Sequence, residues 1–233
     1  MTQVQTRLEM IAMLLGIFGL AGALAIASAG RIRDEKRDVL LNPDSPVWKE
    51  RAPDLFRVRM ETSKGDIVIE VHREWAPNGA DRFYNLARNG YYDDTRFFRV
   101  IAGKWAQFGI NGDPAISVAW RNRTIPDDPR AVSNTEGTVA HAFAVANGRA
   151  TQMFINLRDN SATHDVIGFA PFGRVVDGMD HALALNSEYG ETSGSGIRAG
   201  HQDRLFSEGN AYLDENFPRL DRITKMVIVG EKP

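Results

Sequence analysis

Histidine and acidic side chains are the groups in this sequence that could bind a metal ion or transfer protons. None of the five histidines lies four residues from another in an HExxH pattern, the spacing with which a helix binds zinc. They are His72, His141, His164, His181 and His201. The paired acidic residues stand in turns and mixed-charge stretches, which is typical of solvated carboxylates rather than of a catalytic pair. The sequence therefore predicts no metal and no cofactor.

Composition excludes several further kinds of chemistry. The chain has no cysteine, so it can form neither a disulfide framework nor a thiolate metal site, an iron–sulfur cluster or a thiol nucleophile. Its 28 basic and 30 acidic residues give a formal charge of −2, which argues against a protein held on nucleic acid by bulk positive charge. An apolar content of 43% and a charged content of 25% are ordinary for a folded domain.

Three segments carry a recognisable arrangement of residues. The first runs from Phe97 to Gly109, contains Arg99 and Gln107, and continues to Asp113; the second runs from Gly137 (GTVA) to Asn156 (TQMFIN). The third is FAPFGRVVDGMD at residues 169–180. In this order they resemble the cyclophilin family of peptidyl-prolyl isomerases. The resemblance covers about residues 56–185, and residues 189–223 look like the tail of a bacterial-type branch.

The elements that must position these segments are mainly short strands. Phe56, Val58 and Met60 alternate with polar residues, and Lys64-Gly65 separates them from DIVIEV at 66–71, which predicts a hairpin. A helix is predicted from Pro77 to Asn89-Gly90. Further strands are predicted at 97–101, 138–146, 153–157, 172–176 and 223–229, with a short helix at 179–185. The resemblance implies that they form a closed eight-stranded antiparallel β-barrel with two capping helices.

The resemblance also implies a shallow groove that holds an X-Pro segment of a protein. Rotation about an X-Pro bond faces a barrier of roughly 18–20 kcal/mol and takes tens to hundreds of seconds unaided. In the twisted state the imide nitrogen gains a usable lone pair, so a hydrogen-bond donor aimed at it stabilises the transition state more than the ground state. An arginine suits this task because it stays protonated and carries several donors. No nucleophile, metal or proton transfer is needed.

The family pattern assigns roles to nine residues of this sequence. Arg99 takes the place of the catalytic arginine, and Gln107 that of the glutamine that holds the substrate backbone. The positions that match the substrate-binding groove are Phe154, Trp105, Phe169, Ala142, Ala144, Gln152 and Lys104. Phe154 matches the floor of the proline pocket, and the backbone at Ala142 and Ala144 matches the strand that pairs with an extended peptide.

Some of these positions depart from the family pattern. Lys104 stands where relatives usually have a pocket phenylalanine, and Trp105 follows where methionine or valine is usual. Around residues 160–165 (NSATHD) the leucine that closes the pocket is missing, and Thr163 or His164 would take its place. A lost pocket contact costs on the order of 1–3 kcal/mol. The sequence therefore leaves two functions open, an isomerase and a catalytically weak scaffold subunit of a larger membrane complex.

The N-terminal region contains a long uncharged run. Ile11 to Ala29 comprises 19 residues, and a helix of that length spans roughly 28 Å, close to the thickness of a hydrocarbon core. A transmembrane or signal anchor, a cleaved secretory signal ending at Ala27-Ser28-Ala29 and a buried helix are the three interpretations, of which the anchor is favoured. Four basic residues follow the run and one precedes it, which by the positive-inside rule places the domain in the cytoplasm, whereas a signal anchor places it outside.

The predicted organisation is a tail at residues 1–10, a transmembrane helix at 11–29, a linker at 30–54 and a cyclophilin-like domain at 55–233. The prolines and polar residues of LNPDSPVWKERAPD indicate the irregular linker. We expect a single-pass membrane protein on an undetermined side of the membrane. Its expected function is isomerisation of X-Pro bonds in protein clients. Expected partners are proline-containing segments and, through helix 11–29, other membrane subunits.

Overall fold

The computed structural model describes residues 34–194 and 202–232. Its helices are α1 (residues 34–41), α2 (Pro77–Arg88), α3 (Pro114–Trp120), α4 (Ser161–Ile167), α5 (Met179–Leu183) and α6 (Asp203–Asn216), with 3₁₀ turns at Pro46–Lys49 and Arg73–Trp75. Its strands are β1 (Leu55–Thr62), β2 (Gly65–His72), β3 (Thr95–Arg96), β4 (Arg99–Ile101), β5 (Trp105–Phe108), β6 (Thr138–His141), β7 (Met153–Asn156), β8 (Pro171–Asp177) and β9 (Arg222–Lys232). The fold is mainly β.

The hairpin predicted at residues 56–71 is confirmed. β1 and β2 pair antiparallel, with Phe56 opposite Val71 and Met60 opposite Ile67. These four side chains are fully or almost fully buried, because alternate residues of a strand point to the same face of the sheet. Gly65 takes a φ of 123° directly after the turn, a conformation that glycine adopts without a steric cost.

The predicted helix after Ala76 is also confirmed, as α2. Pro77 occupies its first turn, and Ala76 offers no side chain to cap it. The carboxylate of Asp128 supplies the cap instead, accepting hydrogen bonds from the backbone N–H groups of Asn78 (3.0 Å) and Gly79 (2.8 Å). The helix buries Phe83 and its neighbours. Because the capping residue lies 49 residues further along the chain than Gly79, the cap also fixes the start of the helix to a distant segment.

The nine strands form one curled antiparallel sheet in the order β3–β9–β1–β2–β8–β6–β7–β5–β4. The prediction of a closed eight-stranded barrel is therefore wrong, since within the described chain no ladder joins β3 to β4. These two edge strands are consecutive in the chain and separated only by Phe97 and Phe98. The N–H of Phe97 donates to the carbonyl of Asp221 (2.9 Å), and the carbonyl of Phe98 accepts from the hydroxyl of Ser193 (2.8 Å). Both backbone groups are satisfied without a closing ladder.

Four helices were not expected from the sequence, namely α1, which lies in the predicted linker, and α3, α4 and α6. α6 is kinked at Gly209, whose φ of 60° and ψ of −142° lie outside the helical region. A β-carbon at Gly209 would lie 2.2 Å from the carbonyl oxygen of Gly112, so only glycine permits this close approach. The helix packs a second apolar cluster against the sheet, made of Phe98, Ile110, Leu205, Phe206 and Leu213.

Part of the predicted linker lies on the domain. From Leu40 onwards the chain belongs to the same compact unit as the sheet. The indole N–H of Trp120 donates to the carbonyl of Leu40 (2.8 Å), and Trp48 packs edge-to-face on Trp120 with ring centroids 4.8 Å apart. The N–H of Ala52 donates to the carboxylate of Asp81 (2.9 Å). These contacts order residues 40–54 beside α2 and α3.

Across residues 34–194 and 202–232, no helix combines the length and the hydropathy needed to cross a bilayer. The tail predicted at 1–10 and the span predicted at 11–29 lie outside these residues. Both stay predictions from the sequence.

Candidate active site

Arg99 lies at the start of β4, on the edge of the sheet. Its Nε and Nη2 donate to the two carboxylate oxygens of Glu191, at 2.8 and 2.7 Å, and its Nη1 donates to Oε1 of Gln107 at 2.9 Å. Its Cζ lies 5.1 Å from the ring centroid of Trp105. A guanidinium carries five N–H groups, so two donors have no partner among the described residues and can bind another ligand.

Glu191 forms the anionic half of this arrangement. The hydrogen bonds from Arg99 lower the pKa of its carboxyl group, against the opposing effect of partial burial, and the charges of Arg99 and Lys104 lower it further. The carboxylate is thus ionised at neutral pH. Its side chain is 53% exposed and that of Arg99 is 24% exposed. Exposed ion pairs are weak, but a two-bond arginine–carboxylate pair fixes the plane of the guanidinium.

The strand register places Arg99 in line with two other predicted site residues. Arg99 on β4 lies opposite Gln107 on β5, and Gln107 lies opposite Phe154 on β7. Residues directly opposite each other project from the same face of a sheet. The cation, the amide and the aromatic ring therefore form one row across three neighbouring strands.

Aromatic side chains surround the end of this row. Phe154, Phe169 and His164 pack mutually edge-to-face, with centroids 5.0 to 5.2 Å apart. They border a cavity of about 280 Å³. Ligand pockets for drug-sized molecules have volumes of at least about 300 Å³, so this cavity suits one small ring or side chain. The residues that line it are Arg99, Trp105, Gln107, Ala142, Phe143, Ala144, Phe154, His164, Ile167 and Phe169.

His164 enters the cavity from α4. Its Nδ1 lies 3.1 Å from Oδ1 of Asn156, a fully buried residue of β7. Burial lowers the pKa of the imidazole, with the charge of Asp165 opposing and that of Arg158 reinforcing this effect. The ring is thus neutral at pH 7 and presents an uncharged face to the cavity. Of the two residues expected to replace the missing leucine, His164 lines the cavity and Thr163 does not.

Seven of the nine predicted site residues meet at this cavity: Arg99, Gln107, Phe154, Trp105, Phe169, Ala142 and Ala144. Gln152 lines an adjoining cavity of about 180 Å³ and accepts a hydrogen bond from Nε2 of Gln107 at 2.9 Å. It therefore contacts the site through its side chain. The two cavities share Ala142, Phe143 and Ala144 as their common wall.

Lys104 is the predicted site residue that lines neither cavity. It is exposed at the turn between β4 and β5, where Gly103 has a φ of 60°. The carbonyl of Lys104 accepts from the N–H of Leu157 (2.9 Å) and from Nδ2 of Asn160 (2.8 Å). These bonds fix the turn, and the indole of Trp105 takes the apolar position beside the cavity.

Phe143 and Ile167 line the cavity without having been predicted. The strand expected at 138–146 would have placed Phe143 on the face opposite to Ala142 and Ala144. β6 ends at His141 instead, so all three residues turn towards the cavity. Ile167 is the last residue of α4, a helix that the sequence pattern does not predict. Glu191 was missed because it lies 92 residues from Arg99, and no local pattern connects the two.

A family model described as cyclophilin type peptidyl-prolyl cis-trans isomerase/CLD matches residues 57–204. Among curated proteins, the peptidyl-prolyl cis-trans isomerase of Acinetobacter baylyi is 35% identical over 127 residues, which cover 53% of this chain and 68% of the relative. Peptidyl-prolyl cis-trans isomerase B of Escherichia coli is 35% identical over 131 residues, covering 53% of this chain and 79% of the relative.

Solved structures give the same fold. A cyclophilin type peptidyl-prolyl cis-trans isomerase of Cryptosporidium parvum has a TM-score of 0.56 at 20% identity and covers 76% of this chain and 99% of its own. A second structure of that protein, determined in the presence of the dipeptide Ala-Pro, has a TM-score of 0.54 at 21% identity and covers 75% of this chain and 99% of its own.

Proposed function

Because this chain belongs to the cyclophilin family and is a peptidyl-prolyl cis–trans isomerase, we propose that the cavity beside Arg99 binds the proline of its substrate. The substrate would be an X-Pro segment of a protein client. The single observation that carries this proposal is the row of Arg99, Gln107 and Phe154 at one cavity of proline size.

The proline ring would lie on Phe154 between Trp105 and Phe169. This is supported by the five aromatic rings that line the cavity, those of Trp105, Phe143, Phe154, His164 and Phe169. An apolar ring gains roughly 25 cal/mol for each Å² of surface that it buries, whereas a polar residue would leave its donors unpaired here. Selection for proline thus follows from the shape and the low polarity of the cavity.

Arg99 would lower the rotational barrier. As the X-Pro bond twists, conjugation is lost and the imide nitrogen becomes pyramidal and basic. The two N–H groups of Arg99 that make no bond within the described chain would donate towards this nitrogen and the neighbouring carbonyl. The bond strengthens only as the lone pair develops, so it favours the transition state over the planar states.

Gln107 and the backbone at Ala142 and Ala144 would hold the chain on either side of the proline. Gln107 is 2% exposed and fixed between Arg99 and Gln152. Ala144 is exposed on the wall of the cavity just after β6 ends. Holding the flanking residues while the ring stays in its pocket confines rotation to the single X-Pro bond.

A proline-peptide isomerisation assay on the full chain tests this function. The Arg99→Ala variant should lose kcat/KM by about 10²- to 10³-fold, the usual cost of removing one preorganised transition-state donor. Arg57→Ala is the matched control, because Arg57 on β1 forms an ion pair with Glu70 on β2 and lines neither cavity. Equal rates in wild type and Arg99→Ala would refute the proposed role of Arg99 and favour a scaffold.

We further propose that residues 11–29 anchor the enzyme in a membrane as a single span. The support is the sequence alone, which has 19 uncharged residues in a row there. In fractionated cells the full chain should sediment with membranes and resist alkaline extraction. Leu20→Lys should release it, because a lysine at the centre of a span costs about 2.5–3.5 kcal/mol. A chain that is released by alkali without any substitution would refute the anchor.

A further inference from the structure

Two residues from the part of the chain that follows β8 contact polar side chains of the candidate site. Glu191 accepts hydrogen bonds from Arg99, and Gln202 accepts one from Gln152. We propose that both are positioning residues for isomerisation. Glu191 holds one side of the guanidinium of Arg99 directly, and Gln202 holds the other side through two intervening glutamines, so that together they close one hydrogen-bonded ring. This inference rests on the proposed function of Arg99 and adds to it the residues that keep the guanidinium in place.

Glu191 holds one side of the guanidinium. Its two carboxylate oxygens accept from Nε and Nη2 of Arg99 at 2.8 and 2.7 Å. A long arginine side chain on an edge strand otherwise has many rotamers, and ordering it costs free energy. The two parallel bonds fix both the direction of the side chain and the plane of the guanidinium against Trp105.

A chain of three glutamine amides holds the other side. Nη1 of Arg99 donates to Gln107 (2.9 Å), Nε2 of Gln107 donates to Gln152 (2.9 Å), and Nε2 of Gln152 donates to Gln202 (3.0 Å). Nε2 of Gln202 then donates to the carbonyl of Gly194 (3.4 Å). Since arginine only donates, the first bond sets the orientation of every following amide. Bonds aligned in this way polarise one another.

Glu191 and the acceptor at the far end of the chain of amides lie in one segment. Residues 191–194 contain both Glu191 and the carbonyl of Gly194 that accepts from Gln202. The segment is fixed beside β4 by the hydroxyl of Ser193, which donates to the carbonyl of Phe98 at 2.8 Å. A β-carbon at Gly194 would lie 2.5 Å from that same carbonyl oxygen, so the backbone approaches β4 closely here. The ring therefore closes on a fixed part of the fold.

Burial along the ring supports a positioning role for it. Gln107 is 2% exposed and Gln202 is 5% exposed, so neither amide can exchange its partner for water. Each would have an unpaired donor or acceptor if its neighbour were removed. Glu191 is the exposed member of the ring. It accepts one N–H each from Nε and Nη2 of Arg99, so Arg99 can still donate to a substrate.

The experiment measures kcat and KM of the full chain for a proline peptide, beside the melting temperature. Glu191→Ala should lower kcat by about 10-fold with KM nearly unchanged, less than the roughly 100-fold that a misplacement of 1 Å can cost. Glu191→Asp should restore part of the loss because it keeps a carboxylate, and Glu191→Gln should not. Gln202→Leu should lower kcat by about 3-fold, since it acts through two intervening amides.

Glu208→Ala is the matched control. Glu208 accepts from Nε and Nη2 of Arg204 at 2.6 and 2.9 Å, the same two-bond geometry, on the exposed surface of α6. It should leave kcat unchanged. An unchanged or raised kcat in Glu191→Ala would overturn the inference, the raised value indicating competition for Arg99. If Arg99→Ala is as active as wild type, the proposed function of Arg99 is overturned, and this inference falls with it.

Discussion

The guanidinium of Arg99 lies over the indole of Trp105, with its Cζ 5.1 Å from the ring centroid. Trp105 also contacts His164, at 5.4 Å between ring centroids, so one side chain supports both the cation and the aromatic wall. A cation over an indole gains about 0.5 to 2 kcal/mol, depending on how far it is desolvated. The unusual tryptophan at this position therefore contributes to the electrostatics of the site as well as to its shape.

The first prediction concerns this contact. Trp105→Leu should lower kcat/KM by about 2- to 30-fold, which is the cation–π energy expressed as a rate ratio. Trp105→Phe should cost less because phenylalanine keeps an aromatic face. Isomerisation kinetics on a proline peptide measure both variants. A leucine variant as active as wild type would show that the stacking has no catalytic value.

The second prediction concerns the pH dependence of activity. His164 lines the cavity beside Arg99, and burial lowers its pKa below the ordinary value of 6.5. Activity should be flat above that value and fall at lower pH, because a protonated imidazole places a charge in the cavity. Below its pKa the neutral fraction falls about ten-fold per pH unit. A kcat/KM profile between pH 4.5 and 8 measures this effect, and His164→Leu should remove the acidic limb.

The third prediction concerns stability in acid. His141 is fully buried, its Nε2 lies 3.1 Å from the carbonyl of Gly79, and its Nδ1 has no partner in the described chain. Burial lowers the pKa of His141 from 6.5 to about 4. Between these values the unfolded chain binds a proton that the folded chain does not. The free energy of unfolding is thus highest above pH 6.5 and should fall by about 3 kcal/mol as the pH drops to 4.

Urea unfolding at a series of pH values measures this slope. His141→Gln is the informative variant, because its amide can still donate to the carbonyl of Gly79 and does not titrate. We expect it to flatten the curve between pH 6.5 and 4. An unchanged slope in this variant would mean that the acid sensitivity comes from other groups.

The fourth prediction concerns the kink of α6. Gly209→Ala should destabilise the fold by at least about 1–3 kcal/mol, the cost of a side chain in this glycine-only backbone region, and more through its contact with Gly112. Gly230→Ala on β9 is the control, since nothing lies within 4 Å of the added β-carbon. Urea midpoints compare the two. Equal midpoints would contradict the close approach seen at Gly209.

Elements set by local periodicity were predictable from the sequence. The hairpin of β1 and β2 and the helix α2 each follow from a pattern within about ten residues, such as the alternation of Phe56, Val58 and Met60. The helix α6 was not predicted, because Gly209 interrupts its pattern and its apolar partners, such as Phe98, are more than 100 residues away.

The site was predictable only in part, and the limits have physical causes. The resemblance placed Arg99, Gln107 and Phe154 in one groove, and the strand register aligns them. It could not show that the turn at Gly103 carries the side chain of Lys104 away from the cavity. The contacts of Glu191 with Arg99 arise from tertiary packing, which no local spacing encodes.

The position of β9 in the sheet has a consequence for the order in which the molecule is made. This strand, formed by Arg222–Lys232, lies between β1 and β3, so one side of β1 stays unpaired until residues 222–232 have been synthesised. On a ribosome, the nascent domain therefore waits with an open hydrogen-bonding edge. The sheet can therefore be completed only after residues 222–232 have left the ribosome.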